Sequence, residues 1–374
     1  MELRPASHYV KKLRPLLGDE AFEPARSRLL WLPFHIALIV GWIALIASDT
    51  VPWFLLPLIS LAIGVSFAGI TFVGHETAHG GTIRGRRLKH VISWFCFAPF
   101  CLAPRLWMNW HNRQHHGNTQ HSRRDPDKYP ILEVYNGSAI VRTITDVFSL
   151  GRRRLMGFSG LVIGFTIQGN KILADAHKRG WMTKGQHRAA IAESMLGWAM
   201  WIAIGFLIGP FAFVFAYVLP IVVANAMVMS YILTNHGLSP VTDTNDPLVN
   251  SLSVTVPAWY DYLTLGFGFH TEHHLFPAMS TRHAPKVRDL LVEHFPERYQ
   301  SMPLTTAFWR LHSTARVYRD PVTLCHPPSG QTWSVLLPRE RAEPSEHASH
   351  ARRPSVVPSA TATVTAPLPE PLVG

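Results

Sequence analysis

Cysteine is nearly missing from this chain: Cys96, Cys101 and Cys325 are the three present, and none forms a CxxC pair. A disulfide framework, a zinc ribbon and a fused rubredoxin are thereby excluded. Charge is also scarce. Only 16% of 374 residues are charged, against 47% hydrophobic with 12 Trp and 20 Phe. Mean hydropathy is positive, which suits a membrane protein better than a soluble globule. Acids are the scarcer sign, 24 against 35 Lys and Arg. Because the basic residues lie beside apolar runs, attraction to anionic headgroups explains the net charge of +11 better than a nucleic-acid partner does. No signal-peptide pattern is evident, since mixed, charged residues precede the first apolar run. No useful internal repeat is visible.

Long apolar runs are present. Residues 29–48 and 51–73 are each long enough to cross a hydrocarbon core of ~30 Å, with only Asp49 and Thr50 between them. A second pair, 189–208 and 211–234, is joined through Gly209 and Pro210. The expected fold is an all-α integral membrane protein with four transmembrane helices in two hairpins and a cytoplasmic helical cap. Pro57 and Pro220 are tolerable inside such spans. Residues 74–190 carry 18 Lys and Arg against six acids, and the N-terminal segment carries Arg4, Lys11, Lys12, Arg14, Arg26 and Arg28. The positive-inside rule places both termini and this middle segment in the cytoplasm. The runs 91–103 and 155–165 are too short to span. They read as re-entrant or interfacial helices, with Arg152, Arg153 and Arg154 placed to grip headgroups, or equally as buried helices of the cap. Residues 283–299 read as an amphipathic helix. The expected organisation is a cytoplasmic segment at 1–28, a membrane domain with its cap at 29–300, an extension at 301–337, and a disordered Pro-, Ala-, Ser- and Thr-rich tail at 338–374.

Histidine is abundant, 21 residues, and it clusters. FHTEHHLFP at 269–277 holds His270, His273 and His274 in an HxxHH pattern. On a helix, positions i, i+3 and i+4 share a face. HETAH supplies His75 and His79, and HNRQHH supplies His111, His115 and His116. A lone histidine is more often structural than a ligand, but three helix-compatible clusters in one chain point to metal, for which neutral imidazole is the commonest nitrogen donor. HETAH also reads HExxH, the zinc-protease signature in which Glu76 would be a general base. A catalytic zinc takes three protein ligands and a water. Eight histidines are too many for that and suit two metals. Glu76 then becomes an orienting residue or a polar neighbour.

HETAHG, WHNRQHHGNTQ and HTEHHLFP, in this order, resemble the three histidine boxes of the membrane fatty acid desaturase family, a di-iron superfamily that includes hydroxylases and ketolases. The resemblance covers roughly residues 30–300. It extends to DPD at 125–127 and implies a further ligand between boxes two and three, for which His236 in TNHG is the match. Some members place an asparagine one helical turn before that histidine. Here the position is Ile232, and the asparagine is not carried over. His90, His121, His177 and His187 match no box and are read as surface residues. The resemblance implies two ferrous ions with dioxygen as co-substrate, and an acyl-lipid or acyl-CoA substrate in an apolar tunnel. Trp107, Trp110, Trp259 and Tyr260 are its candidate lining residues, with anchoring at the membrane interface the alternative role for any one of them. It further implies electrons from an external ferredoxin or cytochrome b5-like carrier with its reductase. HPPSG at 326–330 resembles the haem-binding HPGG of cytochrome b5 domains, but too little chain follows it to build one.

Overall fold

A computed structural model describes residues 2–148 and 157–338. In chain order the helices before the middle of the chain are α1 (Ala6–Leu13), α2 (Trp31–Ala47), α3 (Leu56–His79), α4 (Arg86–Phe97) and α5 (Pro104–Asn109). A π-helical stretch, Trp110–His115, prolongs α5. Next come α6 (Leu132–Gly137), α7 (Ala139–Phe148), α8 (Gly157–Asp175) and α9 (Lys184–Ile208). α10 (Pro210–Phe213) runs through a second π-helical stretch, Val214–Val218, into α11 (Leu219–His236). The remainder is α12 (Pro247–Asn250), β1 (Ser253–Thr255), α13 (Ala258–Leu263), α14 (His270–Leu275), α15 (Ala284–His294), β2 (Ser301–Pro303), α16 (Leu304–Ser313), β3 (Val317–Asp320), β4 (Thr323–His326) and β5 (Gln331–Ser334).

Among the described residues four helical stretches are long and apolar enough to cross a membrane: Asp19–Ala47, Trp53–His79, Lys184–Ile208 and Pro210–His236. Their burial differs in a telling way. α3 is buried along most of its length, whereas α2 and α9 leave most of theirs uncovered. Phe206 and Leu207 are 86% and 85% exposed, and Val40, Met195 and Ile202 are also open. In water each such side chain would forgo roughly 1.5–3 kcal/mol of burial; against lipid tails nothing is forgone. α3 is therefore the central post, with α2, α4 and α11 packed on it and α8 packed on α11.

Local chemistry sets the ends of these helices. Thr183 and Gln186 form a reciprocal capping box at the start of α9, so that the helix begins ahead of the apolar run. α3 ends at Gly80, whose φ of +92° suits a residue without a Cβ. That places His75 and His79 in its last turns. The backbone crossing nearby is close: a Cβ on Gly74 would lie 2.6 Å from the Cys96 Cβ of α4.

The run 91–103, expected to be re-entrant or interfacial, is a bent pair. The helical stretch through Arg86–Phe100 meets Pro104–His115 at 105°, a broken span or a re-entrant loop. The described part of the run 155–165, from Gly157 on, belongs to a longer helix, the 19-residue α8, whose Phe165, Gly169 and Ile172 are buried. Arg152, Arg153 and Arg154 lie outside the described residues. The amphipathic helix expected at 283–299 is α15, ending at His294 with Ala284, Val287 and Leu291 buried.

The expectation of an all-α chain needs correction. The protein is mostly helical, but β1 pairs in parallel with β2, and β3, β4 and β5 form an antiparallel sheet. The extension at 301–337 is thus folded, and HPPSG is the turn between β4 and β5, where Ser329 and His326 bond each other. Residues 2–28 also pack rather than trail. Tyr9 and Leu13 are fully buried in a cluster with Leu275, Phe276 and Leu291. The Tyr9 hydroxyl donates to Asp246 at 3.0 Å, and Arg298 reaches the same carboxylate at 2.6 Å. Apart from its first residue, Pro338, the tail expected at 338–374 lies outside the described residues.

The Gly74 crossing yields a test. Gly74→Val should force α4 away from α3 and cost about 1–3 kcal/mol, seen as a lower unfolding temperature of the detergent-solubilised protein.

Candidate metal centre

Four chain segments meet under α3. The last turns of α3 bring His75 and His79, one helical turn apart, with ring centroids separated by 4.9 Å. The second box sits on the π-helical prolongation of α5. With hydrogen bonds from i to i+5, residues i+4 and i+5 fall astride residue i, so His111, His115 and His116 all face inward; such π-turns recur at functional sites. α11 ends on His236, and the six-residue α14 carries His270, His273 and His274.

The nine histidines fall into two groups. His75, His79, His111, His116 and His273 form one, and His115, His236, His270 and His274 the other; within each, the nitrogens that could bind an ion lie within 4.8 Å of one another. The Nε2 atoms turn toward each other: His75 to His111 at 3.0 Å, His116 to His111 and His273 to His116 at 3.2 Å, and His274 to His270 at 3.1 Å. Three of the four Nδ1 atoms of the second group turn outward. His115 Nδ1 donates to Asp125 at 3.0 Å, His236 Nδ1 donates to the Asn250 carbonyl at 2.9 Å, and His274 Nδ1 pairs with the Thr119 hydroxyl at 3.2 Å. A proton held on Nδ1 leaves the Nε2 lone pair free and aims it at the centre.

Electrostatics favours neutral rings, with His115 the exception: burial would lower it, but the Asp125 and Asp127 carboxylates raise it above the usual histidine range. Burial, together with the neighbouring imidazoles, pushes His270, His273 and His274 well below the usual histidine range. Burial alone would raise the Asp125 carboxyl, but His115 beside it and the Asp127 and Gln120 main-chain N–H groups hold it below its usual range. Asp127 is pushed up to about 7, by burial first and by the Asp125 charge as well. His79 Nε2 is buried and finds no hydrogen-bond partner among the described residues, although four other imidazoles surround it. A wholly nitrogen donor set with an orphaned Nε2 at its heart fits a first-row transition ion and does not fit Mg2+ or Ca2+, which take oxygen.

The carboxylates inside the boxes face elsewhere. Glu76 accepts from Arg28 at 3.2 Å, from Thr281 at 3.4 Å and from Ser280. Among the described residues it bonds no imidazole and belongs to neither group, so the role of orienting a ring does not fit it and the polar-neighbour reading does. Glu272, whose carboxyl burial raises, accepts from Ser253 at 2.6 Å and Tyr299 at 2.5 Å. Both are ties between the histidine helices and the surrounding loops.

The four histidines read as surface residues lie apart from the two groups and are exposed or half-buried, each with a local hydrogen bond. His90 bonds Glu193 at 2.9 Å, His187 bonds the Leu173 carbonyl at 2.7 Å, and His177 bonds the Met182 carbonyl at 3.0 Å. His121 receives the Arg123 N–H. Of the expected lining residues, Trp107 stacks on His111 at 4.3 Å and 19°, and Trp110 donates to Asp127 at 2.7 Å. Tyr260 stacks beside Tyr231. Trp259 is 66% exposed and does not line the hollow beside the histidines, which removes it as a lining residue and leaves the interface-anchoring alternative. Ile232 does sit at the centre, in a small hollow with Phe165, Phe267 and His236.

Some supporting residues were not singled out in the sequence. Gln120 donates to the His236 and Ser239 carbonyls at 2.9 and 3.0 Å and so anchors the second box to the end of α11. Asn250, Thr119, Arg28 and Ser280 are likewise visible only through their contacts. Asn235, next to His236, is buried with both side-chain polar atoms unpartnered among the described residues.

Apolar helices of spanning length thus carry, at their ends, two adjoining groups of imidazoles that could each hold a metal ion, which defines a membrane metalloprotein. The family model "Fatty acid desaturase" matches residues 50–306, and the chain belongs to that family. It is similar to an sn-1 acyl-lipid omega-3 desaturase (ferredoxin) of Synechocystis sp., with 26% identity over 80% of this chain and 86% of the relative. It is also similar to a chloroplastic omega-6 fatty acid desaturase of Spinacia oleracea, 22% identical over 74% of this chain and 60% of that protein. An sn-1 oleoyl-lipid 12-desaturase of Arthrospira platensis is 22% identical over 67% of this chain and 72% of its own length.

The outward hydrogen bonds yield graded expectations. Asp125→Asn should weaken metal retention about 10–100-fold, as read by metal analysis after dialysis. His115→Ala and His273→Ala should lose metal outright. Glu76→Gln should keep its metal, and metal loss there would return Glu76 to the centre.

Proposed function

We propose that this protein is an oxygen-dependent acyl desaturase that introduces a C=C bond into the acyl chain of a membrane lipid, with acyl-CoA as the alternative carrier. Nine histidines would hold two iron ions: His75, His79, His111, His116 and His273 the one, and His115, His236, His270 and His274 the other. The observation that carries this reading is the pairing of two buried, all-imidazole groups at the ends of helices long and apolar enough to cross a membrane. In the reading, the spans form two hairpins, α2 with α3 and α9 with α10–α11. Each second helix then delivers its histidines, His75 and His79 or His236, at the same membrane face. The basic middle segment puts that face, both termini and the helical cap in the cytoplasm.

When bound, two ferrous ions supply dioxygen activation and removal of hydrogen from an unactivated methylene, which no side chain can do. The residues of the chain do the rest. Asp125, the Asn250 carbonyl and Thr119 fix the outward ring nitrogens. Trp107 backs the His111 ring. Phe165, Ile232 and Phe267 keep water from the hollow beside the histidines. Electrons come from a separate carrier of the ferredoxin or cytochrome b5 type. The net charge of +11 suits an acidic carrier, and the Synechocystis relative is named for ferredoxin.

Expressed in a host with suitable acyl chains and a compatible reductant, the protein should yield acyl products lighter by two hydrogens, measured by lipid mass spectrometry. Iron chelation or anaerobiosis should stop the reaction. A product heavier by one oxygen would assign a hydroxylase on the same scaffold. Tags placed at either terminus or between residues 120 and 148 should be reached only from the cytoplasmic side, and outside exposure of the middle tag would defeat the four-span arrangement.

A further inference from the structure

The hollow beside the histidines, walled by Trp107, Phe165, Ile232, Phe267 and His270, has a volume of about 20 Å3. That is room for about one water molecule, and an acyl chain cannot enter it as it stands. A second cavity of about 600 Å3 begins at Asp127 and Gln168, the two residues that line both spaces. Its volume lies within the ~300–1,000 Å3 usual for small-molecule sites. Ile144, Ile172, Met229 and Leu233 supply apolar lining, while the charged Arg123, Glu133 and Lys171 are exposed at its edge.

Helix α11 divides the two spaces with neighbouring faces. Met229 and Leu233, one turn apart, line the cavity, and Ile232 and His236, also one turn apart, line the hollow. The remaining partition is a hydrogen-bonded clasp. One oxygen of Asp127, Oδ1, accepts from Trp110 Nε1 at 2.7 Å and from Gln168 Nε2 at 2.7 Å. Its two donors are not equally free to move. Trp110 is 2% exposed and wedged against Trp107 and Phe165. Gln168 is half-buried on α8, and its side chain makes no other hydrogen bond among the described residues. If Gln168 swings away, Asp127 keeps its bond to Trp110 and no buried carboxylate is orphaned.

We propose that the acyl chain of the substrate lodges in the 600 Å3 cavity and reaches the metal centre by parting Gln168 from Asp127, making Gln168 the residue that controls entry to the hollow. The proposal rests on the desaturase reading for the identity of its ligand. It assigns the substrate path to the space between α8, α11 and the segment after the second box. Gly164 on α8 helps keep that space open: a Cβ there would already lie 3.1 Å from the end of Met229, and a longer side chain would grow into the cavity.

The test is photolabelling of the metal-loaded, full-length protein in nanodiscs containing a phosphatidylcholine with a diazirine on its sn-1 acyl chain, with adducts mapped by peptide mass spectrometry. Adducts are expected on Ile172, Met229 and Leu233. In Gln168→Ala, adducts on Ile232 and Phe267 should rise several-fold. Ile144→Trp and Gly164→Leu should cut cavity adducts several-fold with bound metal unchanged; if Gly164→Leu loses metal through misfolding, Ile144→Trp decides. Adducts confined to outward-facing residues such as Ile202, Phe206 and Leu207 would overturn the proposal, as would an unchanged pattern in Gln168→Ala. Cavity labelling without any desaturated product would leave this proposal standing and remove the desaturase reading. Desaturated product without cavity labelling would do the reverse.

Discussion

Nine imidazoles held face to face in a dry interior are the constraint on which the rest of this structure depends. Each ring carries two polar nitrogens, and a buried polar atom without a partner costs about 1–3 kcal/mol. The fold meets this by division of labour. In the second group the Nδ1 atoms of His115, His274 and His236 are given to Asp125, Thr119 and a main-chain carbonyl, while Nε2 atoms are turned inward; His116 Nδ1 in the first group has no hydrogen-bond partner among the described residues. That solution needs rigid surroundings. The most buried of the four spans, α3, is therefore also the one that supplies the first two rings, and the short α14 is tied down through Glu272 to Ser253 and Tyr299.

The broad plan was legible in the sequence because two periodic signals were strong. Apolar runs of about 20 residues can be little else than spans, and histidines at i, i+4 share a helical face. All nine histidines that were singled out lie in the two groups. The less legible features depend on backbone detail or on distant partners. The π-helical turn under HNRQHH leaves no mark in residue type, yet it decides how His115 and His116 share the centre. Glu76 could not be assigned from HETAH, because its direction is set by Arg28, Ser280 and Thr281, far away in the chain. Residue type alone could not tell a lining Trp259 from an interface anchor, and on α13 it is exposed. The strands after Gln300 are three or four residues long, too short for an alternation to be read.

The spans also show why apolar content alone says little about role. α2 and α3 are similar in composition, but α3 is enclosed by protein and α2 faces outward on most of its surface. α2 supplies none of the nine histidines. Its contribution comes at its foot, where Arg28 bonds Glu76, Thr281 and the Leu265 carbonyl at once. One guanidinium there joins the first and third boxes to the first span, which makes the N-terminal segment part of the centre's frame.

That tie has a consequence in time. Glu76 and its partner Ser280 are 204 residues apart, and ribosomes add about 5–20 residues per second. Roughly 10–40 seconds therefore separate the birth of the first histidine helix from the arrival of the loop that clasps it. During that interval the early rings are in place without the third box, and the second pair of spans has yet to be made. A cell producing this protein must keep a half-built, metal-hungry surface from capturing the wrong ion until the third box and the Ser280 loop emerge to close it.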